Sequence, residues 1–463
     1  MKRSAVIVLI ALFSLNSFGQ AANENKKAFS LQEALDFAMT NSANVRIGEL
    51  NEDRAKQEIV NTASAGLPQV RAIGSFQHFP NIPTQVIPDF FGPAVTQTLI
   101  GYGLIPPDVF DPNADPNLIE AQFGTEFNTS YGVSADQLIF DGRYFYGLKA
   151  SKAYAHYVQI ENDKIERDVE DNVLIAYYSA LAAKQNLLIL MESKKNIDKS
   201  LAETTAFFDM GFVEELDVDQ LKLMKSTVDA SLKDAENRLE TAKTMLKFQI
   251  GFPVEKEIEL TDELESILNM DQANALLTES VNPDKHLDMK LLDQGLELQE
   301  IGLRVEQSNY APTLRAFFSH TENNFGNELD LGGNWFPNTV WGVNLNIPLF
   351  TSFGTRSKVQ MSKIDIDKIN IQKQQLDQSV RLQASNSKSE YFNALSQYQN
   401  EKENLELAEK IRNKTAVKFK AGMSSSLELT QAETQLLQTQ GRYIGAMYNL
   451  LSSKIQLEQA LGK

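Results

Sequence analysis

Apolar residues recur along this chain in two spacings that alternate in blocks. Ser30 offers an N-cap and Glu33 the reciprocal capping-box acid; Leu31, Ala34, Leu35, Ala38 and Met39 then follow at helical spacing. A second helical pattern runs from about Asn44 to about Ala65, where Gly66 and Pro68 stop it. From Pro68 the period drops to two, with Val70, Ala72 and Phe76 alternating with Arg71, Ser75 and Gln77. A segment rich in Pro, Gly, Asp and Phe, from Pro80 to about Thr125, reads as a long loop. Alternation then returns: Phe127, Thr129, Tyr131, Val133 and Ala135 against Asn128, Ser130, Gly132, Ser134 and Asp136. From about Arg143 to Phe208 there is no proline, and Gly147 is the only glycine. That stretch predicts one helix on the order of 100 Å long at ~1.5 Å per residue. Gly211 ends it, and helical pattern resumes to about Gln249.

The same order then repeats. Leu314, Ala316 and Phe318 alternate with Arg315 and Ser319, with Phe317 interrupting. Trp341, Val343, Leu345 and Ile347 alternate with Gly342, Asn344 and Asn346. A helix from about Thr355 to Lys420 ends at Gly422, and a returning helix runs to Leu461. The offsets nearly agree, 341 − 131 = 210 and 422 − 211 = 211. A period this long marks a duplicated half-molecule rather than a short solenoid. The expected organisation is a leader over residues 1–20 and a first repeat over 21–265. That repeat holds strands near 68–79 and 126–140 and a helical hairpin over 143–250. The second repeat spans 266–463, with strands near 312–322 and 339–350 and a hairpin over 355–462. The fold class is α+β.

The strands set small or polar residues on one face against aromatic and β-branched residues on the other. That is the alternation of a membrane barrel strand, with lipid outside and water within. Four strands cannot close, because their edges would leave unpaired backbone groups in lipid. Two copies would reach about eight strands, a barrel filled by its own side chains. Three copies reach twelve and leave a lumen, so the strand count predicts a trimer with four strands per chain. The first inter-strand segment is the longer: Pro68 to Tyr131 is 63 positions, Pro312 to Trp341 is 29. Helices of this length need packing partners. Leu174, Tyr177, Tyr178, Leu181 and Leu188 lie near heptad spacing and predict antiparallel coiled-coil packing.

Composition narrows the setting. Met1-Lys2-Arg3, the apolar run Ala5 to Phe13 and Ser17-Phe18-Gly19 read as a secretory signal, too short to span a bilayer. No other run reads as a transmembrane helix. There is no cysteine, so disulfides, thiolate metal sites and Cys nucleophiles are excluded. The formal charge of −17 argues against nucleic acid and would suit a passage favouring cations. His78, His156, His286 and His320 are scattered and predict no metal site. No GxSxG, HExxH, P-loop or dinucleotide signature is present. The acids Glu214, Glu215, Asp217 and Asp219 fall at a turn with no pocket signal. No catalytic residue and no cofactor is expected. A secreted coiled-coil scaffold or adhesin with a β tip is the alternative from another class.

These residues resemble the TolC family of outer-membrane efflux channels. The resemblance rests on Leu31-Gln32-Glu33-Ala34-Leu35-Asp36-Phe37-Ala38 and on Gly66-Leu67-Pro68 before the first strand. It rests also on Gln137-Leu138-Ile139-Phe140-Asp141-Gly142 after the second strand, and on the turns Met210-Gly211-Phe212 and Ala421-Gly422-Met423. It covers essentially the whole mature chain. It implies a homotrimer with a 12-stranded barrel in outer-membrane lipid, continued by a long α-helical barrel in the periplasm. The segment from about Phe252 to Pro283 and the chain ends would build an equatorial region. It implies a periplasmic adaptor and an inner-membrane transporter as partners, as in tripartite efflux or type I secretion, and no catalysis. The tips that would dock the adaptor fall on Gly211, Phe212, Val213, Gly422, Met423 and Ser424. The gate acids fall on Asp217 and Glu428, each six positions past its turn glycine. The gate aromatic falls on Phe419, the gate's basic position on Ser424 and its second acidic position on Gln431. The last two depart from the family pattern, so a gate latched by an Arg–carboxylate bond is not expected.

Overall fold

The computed structural model describes residues 26–89, 91–109, 118–267 and 273–463. The expected leader, residues 1–20, lies outside the described residues. In chain order come β1 (Lys26–Phe29), α1 (Leu31–Asn41), α2 (Ala43–Ser64), β2 (Gln69–His78), β3 (Thr84–Pro88), α3 (Phe91–Gly101), β4 (Leu118–Gln122) and β5 (Phe127–Phe140). Then follow α4 (Gly142–Asp209), α5 (Glu215–Ile250), β6 (Glu257–Leu260), α6 (Leu264–Ile267), α7 (Ala273–Thr278) and α8 (Leu287–Ser308). The chain ends with β7 (Thr313–Gly326), β8 (Phe336–Asn346), α9 (Gly354–Lys420) and α10 (Ser426–Leu461). Two compact units emerge, each drawing on both halves of the sequence.

The first unit takes the described residues up to Glu58, Ser151–Glu300 and Lys363–Lys463. Ser30 and Glu33 form the capping box that starts α1, as the S-x-x-E spacing requires. The core lies where α1, α4, α5, α9 and α10 meet a two-stranded parallel sheet of β1 and β6. Phe29, Val173, Tyr177, Leu181, Leu246, Ile250, Met447 and Leu457 are nearly inaccessible there. Tyr177 is a large ring with a polar end, and that end is satisfied. Its hydroxyl lies 2.9 Å from the Phe29 carbonyl and 3.0 Å from Asp262 Oδ2. The same carboxylate accepts the Leu31 amide at 2.7 Å, so one acid ties α1 to α4.

The heptad reading of α4 holds through Tyr177, Tyr178 and Leu181 but fails at Leu188, which is 49% exposed. The buried stripe passes instead to Leu190 and Ile197, which pack with Met224 and Val228 of α5 in a second cluster. Contrary to expectation, α4 is long and apolar enough to cross a membrane, alone among the described helices. Its Val173, Ala176, Tyr177, Ala180 and Leu181 are buried against protein.

The second unit takes Ile59–Ala150 and Ile301–Ser362. Its sheet has the order β2-β5-β7-β8, every neighbour antiparallel. Directly opposed residues share a face. The register therefore puts Val70, Phe76, Tyr131, Val133, Phe318, Trp341, Val343 and Leu345 on one face, all exposed. Arg71, Ser75, Ser130, Ser134, Asp136, Arg315, Ser319, Thr321, Asn338 and Asn344 line the other. Phe317 sits on the polar face because its partner there is Gly342, where a Cβ would lie 2.9 Å from the ring.

The strands differ from the sequence reading in several places, and β8 begins at Phe336 rather than at 339. β7 extends to Gly326, beyond the expected 322. β8 stops at Asn346, short of the expected 350, because Pro348 removes a ladder donor. The segment Pro80 to Thr125 is not a bare loop, for it carries β3, α3 and β4.

Candidate functional site

The two turns that join the long helices to their returning partners are built alike. α4 closes with Gly211 at φ 79° and α9 with Gly422 at φ 69°. In each, the glycine amide bonds three residues back, Gly211 to Phe208 at 2.8 Å and Gly422 to Phe419 at 3.0 Å. The next amide bonds five back, Phe212 to Phe207 and Met423 to Lys418, both at 2.9 Å. This is the left-handed cap that satisfies orphan helix carbonyls, and it explains glycine at both positions.

The helices leaving the turns are capped differently. Before α5, the Glu214 amide donates to Asp217 Oδ2 at 3.1 Å. Before α10, the Ser425 hydroxyl accepts the Glu428 amide at 3.2 Å. Asp217 and Glu428 thus occupy equivalent first-turn positions, where a carboxylate suits the positive end of a helix. Their second contacts separate them. The buried Ser426 donates its hydroxyl to Asp217 Oδ1 and lies 3.3 Å from Gln220 Oε1. Glu428 instead accepts from Ser424, the residue at the basic position of the family pattern. One acid therefore joins the two turns of a chain, and the other stays within its own.

The remaining sequence-predicted residues divide by exposure. Phe212 and Met423 are 75% and 72% exposed, and Met210, Leu216 and Leu427 are exposed as well. Val213 is half-buried. Phe419 is only 7% exposed, a packed side chain rather than one open to solvent. Gln431 is exposed and lies apart from the Asp217–Ser426 contact.

Sequence reasoning missed the ion pairs that lock each hairpin. Arg412 Nε donates to Glu433 Oε1 at 2.7 Å, the carboxylate side chain being only 6% exposed. An Arg–carboxylate bond is thus present close to the turn, but it joins α9 to α10 rather than two hairpins. In the first hairpin Lys194 pairs with Asp229 and Lys225 with Asp198. The signal was available: 422 − 412 = 10 and 433 − 422 = 11, as an antiparallel hairpin requires. Likewise 211 − 194 = 17 against 229 − 211 = 18, and 211 − 198 = 13 against 225 − 211 = 14.

On the sheet, the polar face carries its own pairs. Arg71 bonds Asp136 at 2.6 Å, and the Ser75 and Ser130 hydroxyls are 3.0 Å apart. At the end of β5, Asp141 is chelated by Arg143 through Nε at 3.1 Å and an Nη at 2.7 Å. The Arg143 hydrogen bond holds the Asp141 carboxyl below the usual range, with Arg315 near enough to add to the effect. The histidines do not converge: His78 stacks on Phe127 at 4.4 Å, and His320 Nδ1 meets Thr339 Oγ1 at 2.7 Å.

Comparisons with known proteins agree with this geometry. Residues 285–463 match the family described as outer membrane efflux protein. The chain is 23% identical over 343 residues to the outer membrane protein TolC of Salmonella enteritidis, covering 72% of this chain and 69% of that protein. It is 22% identical over 349 residues to the outer membrane efflux protein BepC of Brucella suis biovar 1, covering 73% and 74%. Among solved structures, the open-state MtrE outer membrane channel of Neisseria gonorrhoeae gives a TM-score of 0.69 at 15% identity, covering 93% of this chain and 88% of that one. The CmeC outer membrane channel of Campylobacter jejuni gives 0.67 at 15% identity, covering 93% and 85%. The fold is that of these channels, the family that the sequence resembles.

Proposed function

We infer that this TolC-like outer-membrane efflux protein is the passive outer-membrane conduit of a tripartite efflux or type I secretion system. It acts as a homotrimer, fed by an inner-membrane transporter through a periplasmic adaptor. The observation that carries the reading is the sheet. It exposes a continuous apolar face, with Trp341 78%, Val70 67% and Leu345 60% accessible, which a protein surrounded by water would not leave open. Its opposite face is mostly polar or small, with Ile73, Phe325, Phe336 and Val340 among the exceptions, and its edges β2 and β8 have no partner among the described residues. Lipid covers the first face, water fills the space within the second, and the edges pair between neighbouring copies. Three copies give twelve strands and a closed, edge-free wall.

The hairpins α4–α5 and α9–α10 supply the periplasmic part, and their turns are the adaptor contacts: Gly211, Phe212 and Val213, and Gly422, Met423 and Ser424. Asp217, with Ser426, belongs to the closing region, beside Glu428 and Ser424. Phe419 supports that region by packing, and Gln431 leaves its second acidic position uncharged. Among the described residues no His, Asp and Glu side chains gather into a metal-holding cluster, and transport selectivity lies with the pump and with the pore wall.

Separating heated from unheated envelope proteins on gels, after fractionation, tests this. The protein is expected in the outer-membrane fraction, migrating unheated as a trimer and forming channels in planar bilayers. A soluble, monomeric or non-conducting protein would instead establish the scaffold alternative.

A further inference from the structure

The segment between β2 and β5 has features that the conduit reading does not use. Residues 90–107 carry no charged side chain. Within them α3 is a properly started helix, since Asp89 Oδ1 accepts the amides of Phe91 at 3.0 Å and Gly92 at 2.7 Å. Yet α3 has no buried residue. Phe91, Val95, Tyr102 and Leu104 are 75%, 55%, 78% and 69% exposed. Phe91, Val95 and Tyr102 fall within one stripe of the helical turn, four and seven residues apart.

The placement of α3 narrows what covers that stripe. The β2–β5 ladder does not stop at His78 and Phe127. The Phe79 amide bonds the Glu126 carbonyl at 2.7 Å, Ile82 approaches Gly124, and β3 then pairs with β4 from Thr84/Gln122 to Pro88/Leu118. One antiparallel ribbon thus runs past the end of the sheet, where β7 finishes at Gly326 opposite Phe127. Five further residues add ~17 Å at ~3.3 Å each. On the apolar face the last positions of β7 are already polar, His320, Glu322 and Asn324. The ribbon therefore lifts α3 beyond the level that acyl chains cover. The ribbon begins at β2, the edge strand, so each copy of α3 stands beside a junction between chains.

Resting on the trimeric channel of the preceding section, we propose that the Phe91–Val95–Tyr102 stripe docks on its counterparts in the two other copies, forming an apolar constriction over the outer mouth of the pore. The reach is sufficient. Twelve strands spaced ~4.8 Å apart and tilted ~40° close a wall of radius ~12 Å. An 11-residue helix is ~16 Å long. The stripe is uncharged because three copies meet near the axis, where a side-chain charge would face its own kind.

The natural absence of cysteine makes the test direct. Val95→Cys and Tyr102→Cys, made singly, are oxidised in intact outer membranes beside Leu331→Cys, which lies between β7 and β8. Inter-chain disulfide dimers are expected for the α3 variants and not for Leu331→Cys. A Val95→Asp/Tyr102→Asp channel is expected to conduct more than the wild type, as the apolar contact is lost. Trimers that conduct but show no α3 cross-link would overturn this inference and leave the conduit reading standing. So would cross-links from α3 to a different protein, or conductance unchanged in the Asp variant. A wild-type protein that forms neither trimer nor channel would instead remove the conduit reading itself.

Discussion

At the scale of single residues, acids of similar sequence context do different work. Asp217 and Glu428 correspond across the duplication, and both serve helix N-termini. Only Asp217 also takes a hydroxyl from the other half, because Ser426 is buried against it while Glu215, the residue matching Ser426, is exposed. Asp171 shows a further role. It is 3% exposed on α4, and its Oδ2 accepts Gln459 Nε2 at 2.6 Å, with Arg167 Nε 3.7 Å away. Burial dominates and raises its pKa above the ordinary value, outweighing the Gln459 hydrogen bond and the Arg167 charge. The folded state then binds the proton more readily than the unfolded chain does. Its contribution to stability therefore rises as pH falls from neutrality toward the unfolded carboxyl range near about 4. Asp171→Asn removes that dependence. The variant-minus-wild-type difference in Tm is expected to become less positive as pH is lowered from about 7 to about 4.5. Thermal melts of the detergent-solubilised protein read this; a pH-independent difference would contradict it.

At the scale of elements, the left-handed glycines that end α4, α5 and α9 have unequal consequences. Gly211 and Gly422 have open space where a Cβ would go, so substitution meets backbone strain alone. Gly251 ends α5 at φ 73°, and its Cβ would lie 2.3 Å from the Asn41 carbonyl oxygen, a backbone atom that cannot swing aside. Gly211→Ala is expected to cost about 1–2 kcal/mol and to leave trimers formed. Gly251→Ala should lose more and deplete the heat-stable oligomer on gels; equal loss for the two would refute the distinction. The same elements show what a sequence can carry. The hairpin glycines, the long helices and the alternating strands were legible because each follows from local spacing. The β1–β6 pair was not, since four-residue strands far apart in sequence leave no period. β3 and β4 were hidden by length as well, five residues each amid Pro and Gly. At Leu188 the heptad failed because the buried stripe of so long a helix changes partners, from the central core to α5.

At the scale of the whole molecule, the charge on the polar face of the sheet differs in sign from the charge of the whole chain. The sum of −17 favours cations if it is spread along the passage. On the polar face of the sheet, however, the charged side chains are Arg71, Asp136 and Arg315. Arg71 is neutralised by Asp136 at 2.6 Å. Arg315 lies near Asp141, but that carboxylate is already held by Arg143 at 2.7 Å. Each copy therefore leaves about one positive charge on the wall, and a trimer a ring of three. Three unit charges ~12 Å from the axis exert ~1 kcal/mol on a unit charge in water, before screening. At physiological salt the Debye length of ~8 Å cuts this to a few tenths of a kcal/mol, whereas at ~10 mM it is ~30 Å and most of the effect survives. Arg315→Gln should therefore shift the reversal potential under a dilute salt gradient toward cation preference, and the shift should fade as salt is raised. Arg315→Lys, keeping the charge, should behave as wild type. If Arg315→Gln leaves the reversal potential unchanged in dilute salt, the barrel wall does not set selectivity, and the acidic remainder of the molecule does.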